Sequence, residues 1–365
     1  MWFLHISDIH FKAPECLSPD TDPDRGVRTR LERHLTAQVA KIGGVDAILV
    51  GGDVAFAGDP REYGEARKWL DKLRSIAGCE KGPLLVVPGN HDIDRISVGR
   101  AMSTRNVHKA IAEEKDEWRE STLRAQLADP HTAAALLHGH AAYNDFAAPL
   151  QCQIYADRLY WKQDLDLTSK VKLRIHGLTS TLLSGRDGKN DPKPSLYVSP
   201  LQTALDPVPD VVNMVMCHHP FDWLIDGDDV ENALDRRATF QLFGHKHKQK
   251  VQREADYVRW GAGAVNPSRS EKQYEPGYNL VRIDLTGTGG GQAAFDRDPP
   301  VHVSIQSGRI QTDPDVVGRR HIPAHHPLSR RHRRNDRHFA GERSVNPTVA
   351  VQFLPIAMRW GPAVR

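Results

Sequence analysis

Five short clusters of carboxylate, imidazole and amide side chains recur along the chain, and their types suit metal binding. In chain order they are Asp8-Ile9-His10, Gly52-Asp53, Gly89-Asn90-His91-Asp92, His218-His219-Pro220 and Gly244-His245-Lys246-His247. In extended backbone, residues i and i+2 point to the same side, so the first cluster and the last can each offer two ligand atoms to one region. Oxygen and nitrogen donors without a thiolate favour Mn, Fe or Zn over Ca, and they argue against a sulfur-based structural site.

Each cluster follows a short apolar run that is typical of a strand. The runs lie at residues 3–7, 47–50, 84–87, 211–217 and 239–243. Continuous apolar runs are typical of strands that are covered on both faces. Because open α/β sheets place ligands at the carboxyl ends of their strands, we predict that five strand ends bring the clusters together in one site.

Helical patterns alternate with these strands, which predicts the α/β class. Apolar residues at spacings of three and four predict a helix over residues 24–42, closed by Gly43-Gly44. A second helix is predicted to begin at Asp59-Pro60, with Trp69 and Leu73 on its buried side.

Residues 107–143 are rich in Ala, Glu, Leu and Arg, which predicts an inserted helical cap. Further strands are predicted at 171–175, 258–260 and 278–285. The last of these alternates apolar and charged residues, as expected for a half-exposed antiparallel strand.

The composition is that of an ordinary globular protein, since 39% of the 365 residues are hydrophobic and 26% are charged. The apolar first residues are interrupted by Asp8 and His10 before a signal-peptide core or a membrane span is complete, so we expect a cytoplasmic protein without a membrane partner. The four cysteines show no C-x-x-C spacing and are expected to be reduced.

The net charge of +3 is distributed unevenly along the chain. Ten arginines against two acidic residues give +8 for residues 319–365, which leaves −5 for residues 1–318. We interpret 311–365 as a basic, disordered tail after a domain that ends near residue 310. Contact of this tail with the phosphates of nucleic acid or of an anionic membrane is the alternative interpretation.

The ordered motifs D-x-H, G-D, G-N-H-D, H-H-P and G-H-x-H together resemble those of the calcineurin-like metallophosphoesterases, over residues 4–247. The resemblance implies a four-layer αββα sandwich of two mixed sheets flanked by helices, formed by residues 1–310 with the helical insertion at 107–143. Each short motif alone is weak, and their order at strand ends carries the resemblance.

The resemblance also implies a site with two divalent metal ions. It assigns Asp8, His10 and His247 to the first ion, Asn90, His218 and His245 to the second, and Asp53, through its two carboxylate oxygens, to both. A hydroxide that bridges the ions would attack phosphorus, and His91 would act as the catalytic proton donor to the leaving oxygen.

The polar residues next to the motifs each have two possible roles. His219 is expected to point away from His218 on an extended chain and is not taken as a ligand. Asp92 and Asp94 either orient His91 or cap turns. The basic residues close to the motifs either bind a substrate phosphate or are solvated surface charges; they are Arg95, Lys246 and Lys248.

The stretch after Asp53 bears on the substrate. Ser/Thr protein phosphatases of this superfamily carry an Asp and an Arg there, whereas this chain has Phe56 and Ala57. The sequence therefore resembles the bacterial phosphodiesterase branch, and we predict hydrolysis of a phosphodiester, with a nucleotide or cyclic nucleotide as a candidate substrate. The alternatives are a nuclease, a phosphomonoesterase, and a scaffold that has lost its metals, although no ligand is missing here.

Overall fold

The apolar runs form two six-stranded sheets in the computed structural model, which describes residues 1–268 and 276–285, with only the backbone of 301–309 and 356–357. In chain order the strands are β1 (Trp2–Ile6), β2 (Ala47–Val50), β3 (Leu84–Val86), β4 (Trp161–Asp166), β5 (Lys172–Gly177), β6 (Val211–Cys217), β7 (Phe240–Phe243), β8 (Lys250–Arg253), β9 (Val258–Gly261), β10 (Gly277–Leu285), β11 (Val301–Arg309) and β12 (Ile356–Ala357).

Helices occupy most of the chain between the strands. In chain order the described α-helices are α1 (Arg25–Ile42), α2 (Pro60–Ile76), α3 (Arg95–Arg100), α4 (Met102–Ala112), α5 (Asp116–Ala128), α6 (Pro130–Leu136), α7 (Ala141–Ala147), α8 (Pro200–Thr203) and α9 (Gly227–Asp235). None of the helices in the described part of the chain has both the length and the apolar character that a bilayer crossing needs.

Both sheets mix parallel and antiparallel strands. The first has the order β12-β11-β10-β1-β2-β3, and β1, β2 and β3 run parallel while β10 runs antiparallel to β1. The second has the order β4-β5-β6-β7-β9-β8, with a parallel centre and antiparallel outer pairs. The predicted α/β class, with two mixed sheets flanked by helices, is confirmed.

The core lies between the two sheets and continues under α1 and α2. Leu4 and Leu49 of the first sheet belong to the same buried cluster as Met214 of the second, and so do Leu35 of α1 and Leu70 of α2. A second cluster covers the other face of the second sheet. Both faces of the central strands are therefore buried, as their apolar runs predict.

Local signals position the two long helices. Helix α1 ends at Gly43, whose φ of 83° continues the chain in the left-handed region. Helix α2 begins with a capping box. The Asp59 carboxylate accepts the Arg61 backbone N–H, and the Glu62 carboxylate accepts the Asp59 backbone N–H. Trp69 and Leu73 are buried as predicted.

The helical stretch between β3 and β4 is longer than predicted. It runs from Arg95 to Ala147 instead of 107–143, because α3 is too short for an apolar period to reveal it. Strand β10 is antiparallel to β1 and alternates buried Val281, exposed Arg282 and buried Ile283, as predicted. The interpretation of 311–365 as a tail lies outside the described residues, apart from the backbone of 356–357.

Candidate metal centre

The five motif clusters meet at the carboxyl ends of β1, β2, β3, β6 and β7. The loops are joined by direct hydrogen bonds: the Asp8 N–H donates to Gly52 O at 3.0 Å, and His218 Nδ1 donates to Gly51 O at 2.7 Å. The second of these bonds joins the two sheets, so the site spans the edge of the sandwich. The predicted convergence of the clusters is present in the structure.

One half of the site contains Asp8, His10 and His247, whose ligand atoms all lie within 4.8 Å of one another. His247 Nε2 lies 3.1 Å from Asp8 Oδ1, and His10 Nε2 lies 3.2 Å from Asp53 Oδ2. With metal–ligand bonds of about 2.0–2.2 Å, two ligands of one ion are separated by about 3–3.5 Å. These side chains therefore fit a common cation.

The other half contains His218 and His245. His218 Nε2 lies 3.3 Å from Asp53 Oδ2 and 3.3 Å from His245 Nδ1. Asn90 of the third cluster is buried, and its Oδ1 lies 3.1 Å from Nε2 of His219, which groups with His218 and His245. The separations again fit the ligands of one ion.

Asp53 lies between the two halves, but it uses its oxygens differently from the expectation of one oxygen per ion. Its Oδ1 accepts the backbone N–H of His91 at 2.7 Å. Only Oδ2 faces both His10 and His218. A single carboxylate oxygen is therefore directed at both halves, and the other is held by the third cluster.

Backbone strain is concentrated at the same residues. Among the described residues, eight that are not glycine have positive φ, and five of these are candidate ligands: Asp8, His10, Asp53, His245 and His247, with φ between 53° and 64°. Such conformations cost roughly 1–3 kcal/mol each and persist where the surrounding structure enforces them. Strain at one edge of the sandwich supports a functional site there.

Two glycines are required by close approach to the candidate ligands. A Cβ at Gly52, where φ is +97°, would lie 2.6 Å from His218 Nδ1. A Cβ at Gly89 would overlap the Asp53 carboxylate. Any other residue at these positions would displace a candidate ligand.

Electrostatics keep the carboxylates of Asp8 and Asp53 ionised, because the pKa of each lies below its usual range. Burial raises the pKa of Asp8, but the hydrogen bond and charge of His247 outweigh burial and hold that pKa below its usual range. Burial lowers the pKa of His218, but the charge of Asp53 reverses this effect and raises it to about 9. The carboxylates therefore stabilise positive charge at this point, which is what a cation site requires.

His91 lies beside the first half of the site with its ring facing His10, at a centroid distance of 4.8 Å. Its Nδ1 lies 2.8 Å from the carbonyl oxygen of Phe56, to which it donates. Burial lowers the pKa of this ring. The structure thus places His91 next to the candidate ligands and orients it through a backbone carbonyl.

The expectation that His219 points away from the site is wrong. His219 Nε2 lies 3.1 Å from Asn90 Oδ1, and Nδ1 lies 2.8 Å from Ser180 Oγ. The chain bends at residues 218 and 219, so the alternation of an extended strand does not apply there. Together with His218 and His245, His219 forms a further group that could hold a metal ion.

Acidic residues near His91 cap turns. Asp92 accepts the N–H groups of Gly89 and Ala55, each at 2.9 Å, and Asp94 accepts that of Ser97 at the start of α3. The turn-capping interpretation is therefore the one the hydrogen bonds support.

Sequence reasoning missed the role of Glu62. Its buried carboxylate accepts the backbone N–H groups of Ala13, Phe56 and Ala57 at 2.9–3.0 Å and so holds the loop after Asp53. Its place in the capping box after Asp59 was the available signal.

The fold and the site together define an α/β sandwich with a candidate metal centre at one edge, and the comparisons place it in a family. A model of the calcineurin-like phosphoesterase family matches residues 1–249, which is more than half of the 365 residues. The chain belongs to the calcineurin-like phosphoesterase family. The family uses divalent metal ions, and the Asp and His groups described above are candidate positions for them.

A curated relative is the glycerophosphodiester phosphodiesterase GpdQ of Enterobacter lignolyticus, which is 35% identical over 97 residues. The similarity covers 25% of this chain and 30% of that protein, so the chain spans less than a third of the length of this relative.

Similar solved structures share little sequence with the chain. A putative 5′-nucleotidase from Staphylococcus aureus is 14% identical with a TM-score of 0.37, covering 78% of this chain and 51% of that one. GAP50 of Plasmodium is 11% identical with a TM-score of 0.40, covering 79% and 82%. Zinc-complexed Vps29 from Entamoeba histolytica is 12% identical with a TM-score of 0.30, covering 85% and 98%. These low TM-scores carry no argument about function.

Proposed function

We propose that the protein is a dinuclear metal-dependent phosphodiesterase. The observation that carries the proposal is the position of Asp53 Oδ2, 3.2 Å from His10 Nε2 and 3.3 Å from His218 Nε2. One oxygen placed between two sets of donors suits a ligand shared by two ions. The proposed ligands are those implied by the motifs: Asp8, His10 and His247, then Asn90, His218 and His245, with Asp53 shared.

When bound, two divalent ions of the Mn, Fe or Zn type would lower the pKa of water to near neutrality and offset the charge that develops on the phosphoryl oxygens. Hydrolysis adds water across one ester bond: the water oxygen joins phosphorus, the P–O bond to the leaving group breaks, and the leaving oxygen takes a proton. His91 is the proposed donor of that proton, because its Nδ1 is held by Phe56 O and its Nε2 is left for the site.

The side chains after Asp53 favour a diester. Phe56 and Ala57 replace the Asp and Arg of the protein phosphatases, and Phe56 instead packs its ring 4.9 Å from that of His91. The partial similarity to a glycerophosphodiester phosphodiesterase supports the same class. A nucleotide or cyclic nucleotide is the proposed substrate to test first, with the helices of 95–147 as a proposed lid.

Activity on a panel of esters tests the proposal. The Mn²⁺-loaded protein is assayed in parallel with bis-p-nitrophenyl phosphate, p-nitrophenyl phosphate, 3′,5′-cyclic AMP and single-stranded DNA, and bound metal is counted by mass spectrometry. We expect two ions per chain and diester turnover that Asp53→Asn abolishes. Asp166→Asn, at an exposed position of β4, is the matched control.

Two outcomes contradict the proposal. One is the absence of turnover of every ester with two ions bound, which would favour a scaffold. The other is turnover confined to p-nitrophenyl phosphate, which would make the protein a monoesterase.

A further inference from the structure

Arg95, the first residue of α3, lies next to the Nδ1 edge of the His91 ring. Its Nη2 lies 3.0 Å from His91 Nδ1 and donates to the carbonyl oxygen of Phe56 at 3.3 Å. The same carbonyl accepts from His91 Nδ1 at 2.8 Å. Phe56 O is therefore a shared acceptor for His91 Nδ1 and Arg95 Nη2, and the guanidinium lies at the Nδ1 edge of the ring.

A loop from the second sheet holds Arg95 in this place. Arg95 Nη1 donates to Asn190 Oδ1 at 2.6 Å. Gly185, with φ of +74°, packs so closely that a Cβ there would lie 2.7 Å from Arg95 Cγ. The Gly185 N–H donates to buried Asp191 at 2.8 Å, which fixes the loop itself. Both sheets thus contribute to the position of one guanidinium.

This arrangement differs from that of a solvated surface arginine. An arginine side chain loses about 2 kcal/mol of rotamer entropy when it is fixed, so it is ordered only where fixed acceptors match its planar fork. None of the ion pairs among the described residues includes Arg95, and its polar contacts there are with Phe56 O, Asn190 Oδ1 and the His91 ring. The hydrogen bonds of the guanidinium therefore go to neutral acceptors, and one of these acceptors, Phe56 O, also accepts from the His91 ring.

We infer that Arg95 is a positioning residue for His91: its hydrogen bond fixes the Phe56 carbonyl that accepts His91 Nδ1–H, so that Nε2 remains directed at the leaving oxygen. The inference rests on the proposed function of His91 as proton donor. It also gives a physical account of the departure after Asp53, since a backbone carbonyl and a guanidinium would support this histidine in a chain that lacks the Asp and Arg of the protein phosphatases.

The contribution of a proton donor grows with the basicity of the leaving oxygen, and this gives the inference a specific test. The Mn²⁺-loaded wild type, Arg95→Met, His91→Ala and the double variant are compared on methyl aryl phosphodiesters whose phenols differ in pKa. Arg95→Met keeps the aliphatic stem and removes the guanidinium. Arg100→Met, exposed at the end of the same helix, is the matched control.

We expect Arg95→Met to lower kcat by about tenfold to 100-fold, more for the more basic phenols, because misplacement of a catalytic group by about 1 Å costs on the order of 100-fold. KM is expected to change by less than about threefold, since the effect lies on bond breaking. In the His91→Ala background the same substitution is expected to have no further effect, because the two residues act as one unit. Arg100→Met is expected to match the wild type.

Asn190→Ala provides a second variant that leaves Arg95 in the chain. Asn190 is exposed, so its loss removes one anchor of the guanidinium without opening the core. We expect the same dependence on the leaving group with a smaller loss of kcat. This variant keeps the test decisive if Arg95→Met fails to fold.

The outcomes separate the inference from the proposed function. Equal losses of kcat from Arg95→Met with and without His91, or a rise in KM alone, would overturn the inference while the phosphodiesterase proposal stands. An unchanged kcat in His91→Ala would remove the proposed role of His91 and the inference with it. Absence of diester turnover in the wild type would overturn the proposed function itself.

Discussion

Asn90 Oδ1 lies 3.1 Å from His219 Nε2, and the other nitrogen of the same ring lies 2.8 Å from Ser180 Oγ. The His219 imidazole therefore connects Ser180, in a loop of the second sheet, to the Asn90 amide at the edge of the first sheet. An amide oxygen has two acceptor positions, so an Nε2–H donated to Asn90 leaves one of them for a cation. This contact therefore joins Asn90, the candidate ligand with an amide side chain, to the buried ring of His219.

We predict that His219→Ala weakens the binding of the second metal ion. Loss of a group that orients a ligand typically costs 10-fold to 100-fold in affinity, so about that loss is expected here. A Mn²⁺ titration by calorimetry, with activity followed in parallel, measures it, and excess Mn²⁺ should restore most of the turnover. His131→Ala, at an exposed position of α6, is the control; equal affinities in the two variants would contradict the prediction.

Gly89→Ala is predicted to disrupt the site although alanine tolerates the backbone. The φ of Gly89 is −103°, which any residue adopts, but a Cβ would overlap Asp53 Oδ1. We expect a loss of turnover of at least about tenfold, by the same reasoning that makes a displaced catalytic group costly. Gly64→Ala in α2 is the control, because a Cβ there meets nothing within 4 Å. Full activity in Gly89→Ala would show that Asp53 can move without cost.

The motif residues could be predicted because each cluster follows an apolar run, and parallel strands bring their carboxyl ends to one edge. His219 could not, because the strand rule fails where the chain bends. Arg95 and Asn190 are 95 residues apart, and no local pattern records their contact. Periodicity predicts elements and their faces, whereas contacts between loops depend on tertiary packing.

Glu62→Gln is predicted to destabilise the loop after Asp53. A glutamine amide has one acceptor oxygen and cannot replace both carboxylate oxygens, of which Glu62 Oε1 accepts the Ala13 N–H at 2.9 Å and Oε2 accepts those of Phe56 and Ala57 at 3.0 and 2.9 Å. Either the Ala13 N–H or the Ala57 N–H therefore loses its acceptor. An unsatisfied buried donor costs about 1–3 kcal/mol, and urea unfolding should report that loss. Turnover should fall as well, because Phe56 carries the carbonyl that orients His91.

Glu65→Gln, on the same helix, is the matched control for this variant. Within the described part of the chain Glu65 forms its ion pair with Lys68, whose side chain is 74% exposed, so the free energy of unfolding should change by less than about 0.5 kcal/mol. Equal stability of Glu62→Gln and Glu65→Gln would show that the loop does not depend on the carboxylate.

Acid is predicted to destabilise the helices between β3 and β4 through His108 and His140. Both side chains are buried; burial lowers the pKa of His108 to about 4, helped by the charge of Arg186, and lowers that of His140 to about 3. An unfolded histidine titrates near 6.5, so below that pH the unfolded chain binds protons that the native protein does not. Stability therefore falls as the pH drops from 6.5 towards 4, by about 1.4 kcal/mol per pH unit for each ring.

Urea unfolding at pH 7, 6, 5 and 4 measures this dependence, with His108→Gln compared to the exposed control His131→Gln. Glutamine does not titrate, so His108→Gln should lose less stability between pH 7 and pH 4 than the wild type, by about 3 kcal/mol. The His131→Gln curve should run parallel to that of the wild type, because His131 is exposed and its replacement removes no buried ring. Parallel curves for His108→Gln and the wild type would mean that His108 takes up its proton in the native protein.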